Sequence, residues 1–381
     1  VPSYRDIDAD TLADPFDQAR RRMSGVMVKF DRATAFHQEL KARVAAYFET
    51  TGLRERGLWR MYLKTAIILT WFAVSYVLLV FVAASWWQSV GCALSLGLSI
   101  AGIGFNIQHD GSHGGYSRSG KINRLMACAL DMVGGSSYFW HWKHNVLHHS
   151  FPNIAGADDD INVGVLARLA PAQRRFFFHR FQHYYMWPLY GIVPLKWQLV
   201  DDFRDLAASQ VGEKKVPPPR GFDLALFWGG KLFFLTLAFV IPSLFHPFWV
   251  VALYYLGTML VLGVVLATIF QLAHCVEEAG FPMPEGATGR IPAEWAVHQV
   301  QTTVDFAQGN RFLTWYLGGL NYQIEHHLFP RISHLHYPAI APIVEQVCGA
   351  FGVKYHAHGT VLAAARSHFQ WLRQMGRPLA A

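Results

Sequence analysis

Four long apolar stretches decide most of what this chain can become. They run from 65 to 87 (TAIILTWFAVSYVLLVFVAASWW), 89 to 108 (SVGCALSLGLSIAGIGFNIQ), 224 to 245 (LALFWGGKLFFLTLAFVIPSLF) and 248 to 273 (FWVVALYYLGTMLVLGVVLATIFQLA). Each holds 20 or more residues, enough to cross a hydrocarbon core of about 30 Å at roughly 1.5 Å per residue. Each pair is nearly continuous, which predicts an all-α integral membrane fold with four transmembrane helices in two hairpins. Lys231 is the only charge inside these stretches, and it lies close enough to one end to snorkel. The positive mean hydropathy and 52% hydrophobic content agree with a membrane chain.

Charge sets the expected orientation. The connections at 88 and at 246 to 247 carry no Lys or Arg, whereas the loop from 109 to 223 carries thirteen. The positive-inside rule therefore predicts that this loop and both termini are cytoplasmic, in a bacterial inner membrane or the endoplasmic reticulum. A net charge of +7 fits an anionic leaflet. Nucleic acid is not an expected partner, because no basic domain or aromatic-interleaved basic stripe is present. The N-terminal VPSYRDIDADTLADPF is polar and acidic, so no cleavable signal peptide is expected and the first span does the targeting. Cys92, Cys128, Cys275 and Cys348 form no CxxC pair, which argues against a disulfide framework or zinc ribbon.

The resulting organisation is an N-terminal cytosolic region over 1–63, a first hairpin over 64–108, a cytosolic cap over 109–223, a second hairpin over 224–274 and a further cytosolic cap over 275–381. Within the first region, Phe36, Leu40, Val44 and Phe48 recur at helical spacing, predicting an amphipathic helix that lies on the membrane surface. RLMACALDMVGGSSYFW is too short and broken for a span, and the aromatic, proline-broken FHRFQHYYMWPLYGIVPLKW reads as interfacial.

The 19 histidines are distributed unevenly. His109 and His113 stand in HDGSH, His144, His148 and His149 in HNVLHH, and His326 and His327 in QIEHH. Histidines at i and i+4 share a helix face with β-carbons about 5–6 Å apart, so each cluster can turn its imidazoles toward one metal or two adjacent ones. One HxxxH arises easily by chance; three clusters on one side of a membrane do not. Imidazole suits iron, copper, zinc and nickel, and four to six ligands satisfy one ion, so seven or more imply two. Zinc has no redox chemistry and commonly takes four ligands, which points to a redox pair of irons. A site at the membrane surface walled by apolar side chains favours a lipid tail, whose methylenes offer no acidic proton to a general base.

HDGSH, HNVLHH and QIEHH, in this order on a four-span plan, resemble the three histidine boxes of the membrane fatty acid desaturase and hydroxylase superfamily. The leading Gln of the third box is similar to the branch of front-end and linoleoyl-CoA-type desaturases. The resemblance runs from about residue 30 to the C-terminus. It implies two non-haem irons, dioxygen, two external electrons per turnover and a fatty acyl substrate carried on CoA, acyl carrier protein or lipid. It also implies a further ligand at the end of the fourth span, where His274 stands. Many front-end enzymes carry a fused cytochrome b5 with an HPGG motif; none is found here, so electrons are expected from a separate ferredoxin, or cytochrome b5 with its reductase. Relatives whose third box reads HxxHH reach nine histidines, and Gln323 occupies the ninth place. Either Gln323 acts through a bound water, or His298 in WAVHQVQTT joins the metal set.

Asp158, Asp159 and Asp160 follow the second box. Carboxylates orient metal-bound imidazoles through the second ring nitrogen, a role expected for Asp160 and, in the first box, Asp110. His141 lies outside its box. His334, His336, His356, His358 and His368 trail the third box without its spacing and read as surface or substrate-head contacts. The chemistry expected is acyl desaturation, with hydroxylation by the same centre as the nearer alternative. A membrane cytochrome or metal transporter is more remote, because the spans lack haem-ligand pairs and a polar midplane.

Overall fold

In lipid, backbone amides can be satisfied only within a helix or a closed barrel, and all four apolar stretches are helical in the computed structural model of the chain. It describes residues 28–285 and 288–378; the acidic N-terminal stretch lies outside the described residues. The membrane-capable helices are Trp59–Val82, Trp86–His113, Phe222–Ser243 and Phe248–His274. With the superfamily resemblance they make this an integral membrane protein. The second span is central: it packs against both the first and the fourth, and 61% of its most apolar window is buried, against 22–28% for the other three.

The first span begins six residues before the sequence reading placed it, so Lys64 falls inside it, 3% exposed. Lys231 does not snorkel. Its ammonium is buried and donates to Asp202 at 2.7 Å, Gly134 O at 2.7 Å and Gln198 O at 3.0 Å. A buried cation is stable only when paired and fully hydrogen-bonded, and the segment around Asp202 supplies both.

Outside the spans, the described residues build a helical cap with three short two-stranded ladders. Lys29–Asp31 runs parallel to Arg290–Glu294, Asp305–Phe306 parallel to Ala357–His358, and Gln210–Val211 antiparallel to Lys214–Lys215. The amphipathic helix forms over Ala35–Thr51, capped by Thr34 and ended by Gly52 in the left-handed region. Its apolar stripe does not lie on the membrane surface as expected. Phe36, Leu40, Val44 and Phe48 are buried in the cap, where the helix packs on Tyr337–Ala350, with Val344, Val347 and Cys348 among its neighbours. An amphipathic pattern specifies a face to be buried and leaves the partner open. The connecting stretch 124–140 forms only short helices, and Phe177, Phe181 and Tyr184 in the aromatic stretch after it are exposed.

Candidate metal centre

Each box is placed by a local feature of the backbone. The second span loosens into a π-helix over Gly104–Gln108 before His109–His113. The second box lies on another π-helix, His141–His148, and the His149 amide donates to His144 O at 3.0 Å. This i→i+5 winding, common at functional sites, turns the residues at i+4 and i+5 to the same side as residue i, so His144, His148 and His149 converge. The α-helical spacing assumed from sequence fits this box less well. His274 is the last residue of the fourth span, and the third box occupies the helix Gln323–Leu328. Asn145 ties the first two boxes together by donating to Ser112 O at 2.7 Å.

Eight of the nine expected histidines come together. Nitrogens of His109, His113, His144 and His326 lie within 4.8 Å of one another, as do those of His148, His274 and His327. His149 sits between the groups, its Nε2 at 3.3 Å from His144 Nε2 and 3.0 Å from His326 Nε2, and its ring 4.3 Å from that of His327. His141 is exposed at the surface of its helix.

Apart from the contacts among His144, His149 and His326, the inner nitrogens have no partner among the described residues, whereas most outer ones do. Nε2 of His109, His113, His148, His274 and His327 is buried without a hydrogen bond. On the opposite side of the rings, His148 Nδ1 lies 3.1 Å from Asp158, His327 Nδ1 2.9 Å from Gln299 Oε1, and His274 Nδ1 3.2 Å from Thr302 O. His326 Nδ1 faces Tyr337 Oη at 3.3 Å, and His144 Nδ1 faces Asp160 at 3.4 Å. Leaving this many buried nitrogens unpaired would cost roughly 1–3 kcal/mol each. A metal ligand set has this pattern, one ring nitrogen free and the other held by an acceptor, so the donor set fits two metal ions.

Burial, reinforced by the neighbouring imidazoles, holds His144, His149, His326 and His327 well below the ordinary histidine pKa. Neutral rings keep the lone pair a metal needs. His148 differs: burial pulls it down, but Asp158 by charge and hydrogen bond, with Asp160 adding to it, leaves its pKa raised. The Asp158 carboxylate keeps the proton on Nδ1 and leaves Nε2 facing inward.

His298 is not brought to the cluster. It is buried, but its ring packs 4.9 Å from Phe30 and hydrogen-bonds the Pro152 backbone, and burial lowers its pKa to about 4. The helix Trp295–Thr302 instead sends Gln299 and Thr302 toward the ligands. Gln323 is buried with its amide nitrogen unpartnered, one turn before His326 and His327 on the same helix face.

Asp110 is turned mainly to His334, at 2.9 Å, and lies 3.9 Å from His109 Nδ1, beyond hydrogen-bond reach. His334, His336 and His368 are not surface groups. His334 is 1% exposed, His336 Nε2 lies 2.9 Å from Arg54 O, and His368 bridges Tyr190 Oη and Cys275 O at 2.6 Å each. Their irregular spacing gave no helical face to read. Asp158 proves the closer neighbour of the second box than Asp160, and Asn153 was missed altogether. Asn153 adopts a positive φ of 59°; its amide N–H donates to Asp158, and its side chain donates to His274 O at 2.8 Å and Thr302 O at 3.3 Å. An Asn directly after Pro is the available signal, since Asn tolerates left-handed backbone.

A largely apolar cleft of about 1060 Å³ adjoins the cluster. Trp140 and Phe270 line it and also flank His144, with ring centroids 4.6 Å and 5.8 Å away. Its polar lining comprises Lys143, Asp159, Asp160, Asn162, Lys196 and Gln271.

The fatty acid desaturase family model matches residues 84–359. The chain is 40% identical over 354 residues to the sn-1 linoleoyl-lipid 6-desaturase of Arthrospira platensis, covering 91% of this chain and 94% of that protein. It is 38% identical to the protein of the same name in Synechocystis, covering 92% and 98%. The acyl-lipid (8-3)-desaturase of Physcomitrium patens is 39% identical over 90% of this chain and 72% of its own length. The family match spans most of the chain and its relatives are matched over nearly their full length, so the chain belongs to the fatty acid desaturase family of oxidoreductases.

Proposed function

We propose that this protein desaturates a fatty acyl chain carried on a membrane lipid, placing the new double bond at carbon 6 of a linoleoyl group as its two cyanobacterial relatives are named for. The observation that carries the reading is the double orientation of the histidines, most inner nitrogens free and most outer nitrogens braced, against an apolar cleft. Similarity to relatives named for lipid-linked substrates favours a lipid over CoA or acyl carrier protein, and desaturation over hydroxylation.

His109, His113, His144 and His326 would hold one iron, and His148, His274 and His327 the second, with His149 close to both groups and Gln323 acting through water. Bound there, an iron pair would supply, with dioxygen, the oxidising power that an unactivated methylene requires. The net change is loss of one hydrogen from each of two adjacent carbons; these two hydrogens, with dioxygen, two external electrons and two protons, become two waters. The chain's own residues do the rest. Trp140 and Phe270 press the acyl chain toward His144 and exclude water, while Asp158, Gln299 and Thr302 O hold the imidazoles in place. The cap and both termini lie on the cytoplasmic face, where ferredoxin, or cytochrome b5 with its reductase, delivers electrons.

Expression in a host with a simple lipid profile tests this. The expected product is a lipid-linked fatty acid two mass units lighter than linoleate with unsaturation at carbon 6. A product sixteen units heavier would make the enzyme a hydroxylase, and an unchanged lipid profile in cells containing iron-loaded protein and a donor would refute the reading.

A further inference from the structure

A buried chain of polar groups outside the ligand set links the first span to the first box. Lys64 Nζ lies 2.8 Å from His334 Nε2, and His334 Nδ1 lies 2.9 Å from Asp110 Oδ2. The other oxygen of Asp110 faces His109 Nδ1 at 3.9 Å. All four side chains are at most 4% exposed.

The chemistry of the groups fixes the order of donors. An ammonium only donates, so His334 Nε2 accepts from Lys64 and the ring proton resides on Nδ1, where it is donated to Asp110. The ammonium and the carboxylate thus compensate each other across an imidazole. Trp315 adds a face to Lys64, 5.2 Å from its ring centroid. His109 has no hydrogen-bond partner at either ring nitrogen, and Asp110 is the acceptor nearest its outer one.

We propose that Lys64, His334 and Asp110 form a positioning relay that holds the Asp110 carboxylate beside His109 and steadies the orientation of that ring through its charge, with Lys64 anchoring it from the membrane. The proposal rests on the iron-centre reading above. None of the three touches the reacting atoms; they act through His109, so their loss weakens metal binding at the group formed by His109, His113, His144 and His326, and spares that of His148, His274 and His327.

The test measures iron per chain, and its release to a chelator, in the full-length protein purified in detergent. Glutamine at 334 can accept from Lys64 through its carbonyl and donate to Asp110 through its amide, whereas leucine fills similar space and does neither. His334→Leu is expected to lose roughly half of the iron, following a 10–100-fold fall in affinity at one group, and His334→Gln to keep it. Lys64→Met should behave like His334→Leu, and Lys64→Arg like the wild type; this pair carries the test where His334→Leu fails to fold. Equal retention or equal loss in each pair would overturn the relay. A wild-type chain that binds no iron would overturn the metal-centre reading instead.

Discussion

The two halves of the histidine cluster are braced differently. In the half formed by His148, His274 and His327, every outer nitrogen has an acceptor at 2.9–3.2 Å. The principal brace, Asp158, is itself held by the backbone amides of Asn153 at 2.9 Å and Asp160 at 3.0 Å. In the half formed by His109, His113, His144 and His326, the corresponding distances are 3.3 Å to Tyr337, 3.4 Å to Asp160 and 3.9 Å to Asp110. Orienting partners raise ligand basicity and fix ring direction. The group of three imidazoles is thus the more closely braced, and the group of four the more loosely. The difference has a structural origin: the three-histidine half joins the end of the fourth span to the loop Asn153–Asp160, and Asn153 clamps both, whereas the four-histidine half joins spans and cap through longer contacts.

The largest expected effect comes from removing a ligand in the well-braced half. His148→Ala should abolish product and remove iron from its group, checked by elemental analysis and lipid mass spectrometry; normal turnover would end the comparison, since that half would not be a metal site. Next, Asp158→Ala should lower metal affinity by about 10–100-fold, whereas Asp160→Ala should cost clearly less; equal losses measured by competition with a chelator would mean that distance does not rank the braces. Metal removal sharpens the point further. Graded chelation should release iron in two phases, with the four-histidine group emptying first, and a single phase would show the halves to be equivalent. Gln323→Ala should reduce iron content modestly. The smallest effect is expected for His298→Ala, whose iron content should match the wild type, because its ring contacts Phe30 and Pro152 rather than the ligands; a larger loss than in Gln323→Ala would return His298 to the ligand set.

Sequence alone determined the four spans, because length and apolarity are local properties that the bilayer tests residue by residue. It also singled out seven box histidines and His274, which the fold brings together, because close spacing within a box and position at the end of a span can be read without coordinates. What surrounds them depended on tertiary structure. Asp158, Gln299, Thr302 and Tyr337 reach the box histidines and His274 from three separate stretches of chain, and a single group acting through a hydrogen bond leaves no periodicity to read. The same reason explains the reversals. Whether the stripe of Phe36, Leu40, Val44 and Phe48 meets lipid or another helix, and whether Lys231 reaches water or Asp202, is decided by what packs opposite. His298 and Gln299 are adjacent in sequence, yet the phase of one short helix sends the amide, and not the imidazole, to His327.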